Sequence, residues 1–173
     1  IVHVGDLKAA HRIACFDATA LALADAFWPG PLTLVLPKAP HCPVAELATT
    51  GLDTVAIRVP AHPVARDILH EFGGAVVAPS ANLSGHVSPT TAAHVQSDLS
   101  GRIDLIVDGG AVEVGVESTI VGCFAPPTLL RPGGIPRAEI ERVLGSSLAR
   151  PDSGAIDGRP PAAGMLASHY APR

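Results

Sequence analysis

The sequence contains few aromatic residues, few lysines and few cysteines. Aromatic side chains form 3% of its 173 residues, with a single Trp and a single Tyr, so few platforms exist on which nucleic-acid bases could stack. Lys8 and Lys38 are the lysines, and the formal net charge is −4 at pH 7, which argues against coating nucleic acid through bulk positive charge. The three cysteines are widely spaced and match neither a disulfide framework nor a zinc motif.

Long apolar runs and several familiar catalytic motifs are also missing. A membrane-spanning helix needs about 18–20 consecutive apolar residues, whereas the most apolar stretch, residues 19–36, is interrupted by Asp25 and by Pro29-Gly30-Pro31. No signal peptide opens the sequence, so we expect a soluble cytoplasmic protein without membrane contact. The P-loop, the G-x-S-x-G elbow and the G-x-G-x-x-G turn are absent, which disfavours the enzyme classes that depend on them.

Short apolar runs alternate with helical patterns, which predicts an α/β fold with a twisted mixed sheet flanked by helices. The predicted strands are 1–4, 32–36, 54–59, 75–77, 103–107, 118–121 and 128–131. The predicted helices are 6–15, 17–27, 63–72, 88–99 and 136–144. Residues after Gly145 are rich in Ser, Gly, Pro and Ala, which is linker composition. We therefore predict one domain over residues 1–147 and a linker over 148–173 that leads towards a second domain.

Polar and cationic residues occur at the ends of several predicted strands. Arg58 interrupts an apolar strand and shares a strand face with Thr54, so it needs an anion that is either a structural carboxylate or a ligand. The loop after the strand at 75–77 carries Ser80, Asn82 and Ser88, and Ser118 and Arg131 lie at two further strand ends. For Arg58 a ligand explains the pattern at least as well as a structural salt bridge, whereas each of the others alone is most simply an ordinary turn or edge-strand feature. Together they indicate a ligand site, because ligand sites of α/β sheets gather at strand ends.

Five sequence blocks occur in the order found in one known family. They are Phe27-Trp-Pro-Gly-Pro-Leu-Thr-Leu-Val-Leu36, Val55-Ala-Ile-Arg-Val-Pro60, Ala78-Pro-Ser-Ala-Asn-Leu-Ser-Gly85, Gly115-Val-Glu-Ser-Thr-Ile-Val121 and Leu130-Arg-Pro-Gly133. With them, the sequence resembles the YrdC-like threonylcarbamoyl-AMP synthases. The tail, Gly164-Met-x-x-x-His-Tyr-Ala-Pro172, is similar to the linker of the long form, which closes over the nucleotide site.

The resemblance implies a nucleotidyltransferase that makes threonylcarbamoyl-AMP and pyrophosphate from L-threonine, bicarbonate and ATP, with Mg²⁺. The product serves the threonylcarbamoyladenosine modification of tRNA through downstream proteins, with a weak tRNA contact at most. No residue acts as a nucleophile, because positioning and charge stabilisation suffice. By matching positions, the expected threonine contacts are His3, Arg58, Ala78 and Ser118. The expected ATP contacts are Thr54, Ser80, Asn82, Ser88, Arg131 and Tyr170.

Two features leave alternatives open. The family's Lys-x-Arg-Pro block and an upstream Thr-containing segment are not in the sequence, so we expect the natural chain to begin before Ile1 and the activity of these residues alone is in question. One alternative is the related domain of the hydrogenase-maturation carbamoyltransferases, which forms a carbamoyl adenylate. The others are an RNA-binding module and a non-catalytic scaffold.

Overall fold

The computed structural model describes residues 1–150, which form a six-stranded mixed sheet with helices. The strands are β1 (Val2–His3), β2 (Leu32–Pro37), β3 (Thr54–Arg58), β4 (Val76–Val77), β5 (Thr119–Gly122) and β6 (Thr128–Arg131). The helices are α1 (Leu7–His11), α2 (Ala18–Phe27), α3 (Glu46–Thr49), α4 (Pro63–Phe72), α5 (Ala92–Leu99) and α6 (Arg137–Leu144). The predicted α/β fold class is confirmed.

The strand order is β4-β1-β3-β2-β5-β6, so the chain crosses the sheet rather than adding each strand beside the last. The pairs β1/β3 and β2/β5 are parallel, whereas β1/β4, β2/β3 and β5/β6 are antiparallel. In the β1/β3 pair His3 lies opposite Arg58. Because β1 and β3 are parallel, their C-terminal ends lie side by side at one edge of the sheet. The N-terminal ends of β2 and β5 lie side by side for the same reason.

Alternation along the strands gives the sheet two different faces. Leu34 of β2, Ile57 of β3 and Val121 of β5 belong to the main apolar core. Helix α2 contributes Leu23 and helix α6 contributes Ile140 to the same core, and both side chains are fully buried. The opposite face carries a small cluster of Val35, Ile120 and Leu130. Because successive strand side chains point to opposite faces, the residues between the core positions are free to line a site.

Capping side chains explain where several helices begin. Asp6 and Asp17 accept hydrogen bonds from the N–H groups of Ala9 and Ala20, at 2.7 and 2.8 Å, and so cap α1 and α2. Helix α1 is shorter than the predicted 6–15, because Arg12 already ends it. The predicted start of α5 at residue 88 is wrong. Thr91 caps that helix by accepting a hydrogen bond from His94 N, and α5 begins at Ala92.

The predicted strand at 103–107 does not form. Ile103, Leu105 and Val107 are exposed and have no strand partner among the described residues, although the stretch is as apolar as a buried strand would be. A strand needs a neighbour to satisfy its backbone groups, and among residues 1–150 none pairs with this stretch. The apolar run at 75–77 predicts a buried strand, but Val76 and Val77 of the short strand β4 are 36% and 48% exposed at the edge of the sheet.

Packing continues slightly past residue 147. Leu148 is 3% exposed in the main core, and Ala149 forms a parallel bridge with Thr128. The division at 147/148 stays a prediction, and residues 151–173 of the expected linker lie outside the described part of the chain. Within residues 1–150, no helix has the length and apolar character required to cross a membrane.

Candidate active site

A cavity of about 840 Å³ lies on the face of the sheet opposite the main core. Its floor is formed by polar residues of the strand ends: His3, Arg58, Ser118 and Arg131. One wall is Ala45, Leu47 and Ala48 around α3, and another is the loop that follows β4. This volume is in the range of small-molecule and cofactor sites.

Arg58 ends β3 and is held by the loop between α2 and β2. Its Nε donates a hydrogen bond to the carbonyl of Gly30 at 2.9 Å, while Gly30 N donates to Val59 O at 2.9 Å. A Cβ at Gly30 would overlap the carbonyl of Phe27, so only glycine fits this close approach. Trp28 fixes the same loop, because its indole N–H donates to Leu32 O at 2.7 Å. The Trp-Pro-Gly-Pro block thus orients a guanidinium whose Nη groups remain as donors towards an anion.

His3 lies beside Arg58 on the neighbouring strand. Burial, followed by the positive charge of Arg58, lowers the pKa of His3 to about 4. The imidazole is therefore neutral at pH 7, and its Nδ1 is buried without a hydrogen-bond partner. Burial, and then the charge of Arg131, also lowers the pKa of Arg58. Two guanidinium groups that repel each other around one cavity favour an anionic ligand.

Arg131 is nearly buried, and its donors are directed at the segment before β5. Nε donates to the carbonyl of Ser118 at 3.1 Å, and Nη2 donates to the same carbonyl at 2.7 Å and to Ser118 Oγ at 3.0 Å. Nη1 pairs with Glu117 Oε2 at 2.5 Å. A Cβ at Gly133 would overlap the backbone of residues 117–119, so the turn after Arg131 packs directly against this segment.

Ser118 connects the cavity to the sheet below it. Its hydroxyl lies 2.8 Å from Thr33 Oγ1, and both residues are buried. Thr33 lies on the same face of β2 as Val35, which explains why its hydroxyl points away from the main core. The result is a continuous polar chain from Thr33 through Ser118 to Arg131.

The loop after β4 is fixed by its own side chains. Asn82 Nδ2 donates to the carbonyls of Leu83 and His86, both at 2.9 Å, so its amide closes a turn. Asp98 of α5 accepts hydrogen bonds from Leu83 N and His86 Nδ1, each at 3.2 Å, and so anchors the turn to the helix. Ser88, at the end of the loop, donates to Glu117 Oε1 at 2.7 Å.

Most of the sequence-predicted site residues meet at this cavity. Those that line it are His3, Arg58, Ala78, Ser80, Ser88, Ser118 and Arg131. Thr54 does not, because it begins β3 whereas Arg58 ends it: the two share a face but lie at opposite ends of the strand. Asn82 lies outside the lining and holds the loop instead. Tyr170 is outside the described residues.

Sequence reasoning missed two residues of the site. Glu117 contacts both Ser88 and Arg131, and Thr33 supports Ser118. A signal for Glu117 was present, since it is the acidic residue directly before Ser118 in a sequence block already singled out. Thr33 lies in another of these blocks and is the polar residue of an apolar strand, but the sequence alone does not show that it supports Ser118.

Comparison with known proteins adds a family to this geometry. Residues 1–133 match the Sua5/YciO/YrdC family model, described as telomere recombination. The chain belongs to this family.

Two curated relatives match almost the whole chain. The threonylcarbamoyl-AMP synthase of Pyrococcus abyssi is 45% identical over 99% of this chain and 51% of its own length. The enzyme of the same name from Bacillus subtilis is 47% identical over 99% of this chain and 50% of its own length. The chain thus spans about half the length of these relatives.

A solved structure shares the fold closely. The P. abyssi Sua5 protein, in a crystal structure with L-threonine, aligns with a TM-score of 0.87 at 44% identity over 95% of this chain and 48% of that protein. The family resemblance deduced from the sequence blocks is therefore confirmed.

Proposed function

We propose that this chain carries the catalytic site of an L-threonylcarbamoyladenylate synthase. The observation that supports the proposal most is the single cavity in which Arg58, Arg131 and the buried hydroxyl of Ser118 converge. The names of the two Sua5-family relatives and the L-threonine in the P. abyssi structure support the same reaction. The catalytic domain over residues 1–147 and the linker over 148–173 are part of this proposal.

The threonine subsite is the part of the cavity beside β1 and β3. A carboxylate placed against the Nη groups of Arg58 forms charge-assisted hydrogen bonds, which are about twice as strong as neutral ones. His3 stays neutral there, so it adds polarity without a second nearby positive charge. Ser118 contributes a hydroxyl, and Ala78 leaves space for the small amino acid.

The nucleotide occupies the remaining part of the cavity, along the loop after β4. Ser80, Ser88 and Arg131 are its proposed polar contacts. Leu47, which is 91% exposed at the cavity wall, offers an apolar surface for the adenine ring. Thr54 and Asn82 are not supported as direct contacts by their positions, and a contact from Tyr170 stays a prediction.

The chemistry needs positioning rather than an enzyme nucleophile. The threonine amine adds to the carbon of bicarbonate to give a carbamate, with loss of water. A carbamate oxygen then attacks the α-phosphorus of ATP, and pyrophosphate leaves. The attacking group and the triphosphate are both anionic, so cationic groups that hold them together lower the barrier. Arg58 and Arg131 are suited to that role because each is fixed by backbone carbonyls.

Mg²⁺ fits the site only as a companion of the nucleotide. Among the described lining residues Glu117 is the carboxylate, and residues 1–150 contain no cluster of metal ligands. Mg²⁺ is commonly held by one or two carboxylates together with substrate phosphates. Since Ser88 and Arg131 engage both oxygens of the Glu117 carboxylate, we infer that the phosphates would hold the ion here, and that it would neutralise charge on the leaving pyrophosphate.

The test combines binding with turnover. Calorimetry of the full chain should detect L-threonine and ATP, and mass spectrometry should detect threonylcarbamoyl-AMP only when threonine, bicarbonate and ATP are all present. Arg58→Ala should weaken L-threonine binding by about ten- to a hundredfold, the loss expected for a charge-assisted pair. Arg142→Ala, an exposed arginine on α6, is the matched control. Equal threonine affinity in wild type and Arg58→Ala would contradict the proposal.

The rival functions give different outcomes in the same assays. An RNA-binding module would bind RNA more tightly than ATP at physiological salt. We expect instead a dissociation constant for ATP in the millimolar-to-micromolar range and weak binding of tRNA. A hydrogenase-maturation carbamoyltransferase domain would form a carbamoyl adenylate and would not need threonine. A non-catalytic scaffold would bind neither substrate. The proposed product would pass its threonylcarbamoyl group to tRNA through downstream proteins.

A further inference from the structure

Glu117 forms hydrogen bonds with two residues that are proposed to bind the nucleotide. Its Oε1 accepts from Ser88 Oγ at 2.7 Å, and its Oε2 pairs with Arg131 Nη1 at 2.5 Å. The carboxylate is 15% exposed and lines the cavity. One anionic group therefore bridges a hydroxyl and a guanidinium, which is the arrangement of donors that a phosphate group accepts.

The position of Arg131 makes this bridge a competitor for phosphate. Nε and Nη2 are directed at Ser118, so Nη1 is the nitrogen that meets Glu117 on the cavity side. A phosphate oxygen that approaches Nη1 and Ser88 Oγ must take the place of the carboxylate oxygens. A carboxylate and a phosphate would also repel each other if both occupied this space.

The local backbone allows an exchange by side-chain rotation alone. Gly134 N donates to the carbonyl of Glu117 at 2.9 Å, so the backbone on both sides of the Arg131 turn is fixed. Ser118, the next residue, is 3% exposed and held by Arg131 and Thr33. The Glu117 carboxylate, in contrast, borders the cavity, and the exposed stretch 111–116 lies just before it.

We propose that Ser88 and Arg131 form a phosphate subsite that the Glu117 carboxylate occupies until the nucleotide displaces it. Glu117 thereby keeps Arg131 paired and oriented in the ligand-free protein, and it lowers the affinity of the cavity for phosphate-containing ligands. The inference rests on the proposed function, because it takes the cavity to be the nucleotide site.

The test is a gain of binding, which structural damage would not produce. Glu117→Gln keeps the side-chain shape and removes the charge. Inorganic pyrophosphate and ATP should each bind this variant about tenfold more tightly than wild type in calorimetry, since no carboxylate competes for Arg131. Glu113→Gln, an exposed carboxylate in the same segment, is the matched control and should bind as wild type does.

Two results would overturn the inference. Unchanged or weaker pyrophosphate binding by a folded Glu117→Gln would mean that Glu117 only positions Arg131. If Glu117→Gln does not fold, Glu117→Asp, whose shorter side chain cannot span both partners, should still bind pyrophosphate more tightly, and no gain there rejects the proposal. The wild-type threonine and ATP titrations separate the two claims, because they can succeed while the gain is absent.

Discussion

The two faces of the sheet use the same strands for different purposes. On the core face Leu34, Ile57 and Val121 are fully buried against helices α2 and α6. On the cavity face the intervening positions include Thr33 and Arg58, which make polar contacts. One residue along a strand therefore separates a side chain that stabilises the fold from one that serves the site. Stability and ligand binding should respond to different substitutions of neighbouring residues.

The largest expected effect breaks the core face. Ile57→Ala removes a fully buried side chain next to Arg58 and should lower the free energy of unfolding by about 2–5 kcal/mol. Chemical denaturation with urea measures this change.

Substituting its neighbour on the cavity face is the comparison for that result. Arg58→Ala should reduce L-threonine binding yet change the free energy of unfolding much less than Ile57→Ala does. Similar losses of stability in the two variants would show that the faces are not functionally separate.

The sequence predicts the faces of the strands well, but it does not predict which end of each strand borders the cavity. Alternation around residues 54–59 correctly places Arg58 on the side opposite Val55 and Ile57. The same alternation also assigns Thr54 to that face, but it cannot show that only the Arg58 end of β3 borders the cavity. Face is a local property, whereas the position of a strand end relative to a cavity depends on the register with β1 and β2.

Arg131 shows a second limit. Strict alternation along β6 would place Leu130 and Arg131 on opposite faces of the sheet. A register shift between Ile120 and Val121 instead interrupts the alternation and pairs Arg131 with Ile120. Such irregularities re-aim side chains, often beside functional sites. The sequence blocks located Arg131 through resemblance, but neither this shift nor the contact of Arg131 with Glu117 could be deduced from the pattern. The strand predicted at 103–107 does not form for a related reason. Whether a segment pairs as a strand depends on its neighbours in space, which the sequence of that segment does not encode.

The next prediction concerns the pH dependence of stability on the cavity face. The pKa of His3 is about 4 in the folded protein, against an ordinary value of 6.5. Between these pH values the unfolded chain binds more protons than the folded protein. The contribution of neutral His3 to stability is therefore fully present above about pH 6.5 and is lost as the pH falls towards 4. A difference of this size corresponds to a loss on the order of 3 kcal/mol.

Urea unfolding at several pH values tests this assignment. His3→Gln should show a smaller decline between pH 6.5 and 4 than wild type, because it lacks the titrating imidazole. His11→Gln changes an exposed histidine of α1 and is the control. A wild-type decline that His3→Gln leaves intact would assign the acid sensitivity to other groups.

The smallest expected effect sharpens the comparison within a single strand. Thr33→Val keeps the shape of a fully buried side chain on the cavity face and removes the hydroxyl that lies 2.8 Å from Ser118 Oγ. The loss of one such hydrogen bond should cost about 0.5–1.5 kcal/mol of stability.

The same substitution should also affect ligand binding through Ser118. Ser118 Oγ accepts a hydrogen bond from Arg131 Nη2, so its own proton can be donated to Thr33 or to a ligand. Without the Thr33 hydroxyl, the orientation of the Ser118 hydroxyl is less restricted. L-threonine binding should then weaken by about two- to tenfold. Thr33→Ser restores the hydroxyl and should recover binding while leaving the cost of the lost methyl group. Recovery of stability without recovery of binding in Thr33→Ser would show that the hydroxyl supports the fold but does not orient Ser118 for the ligand.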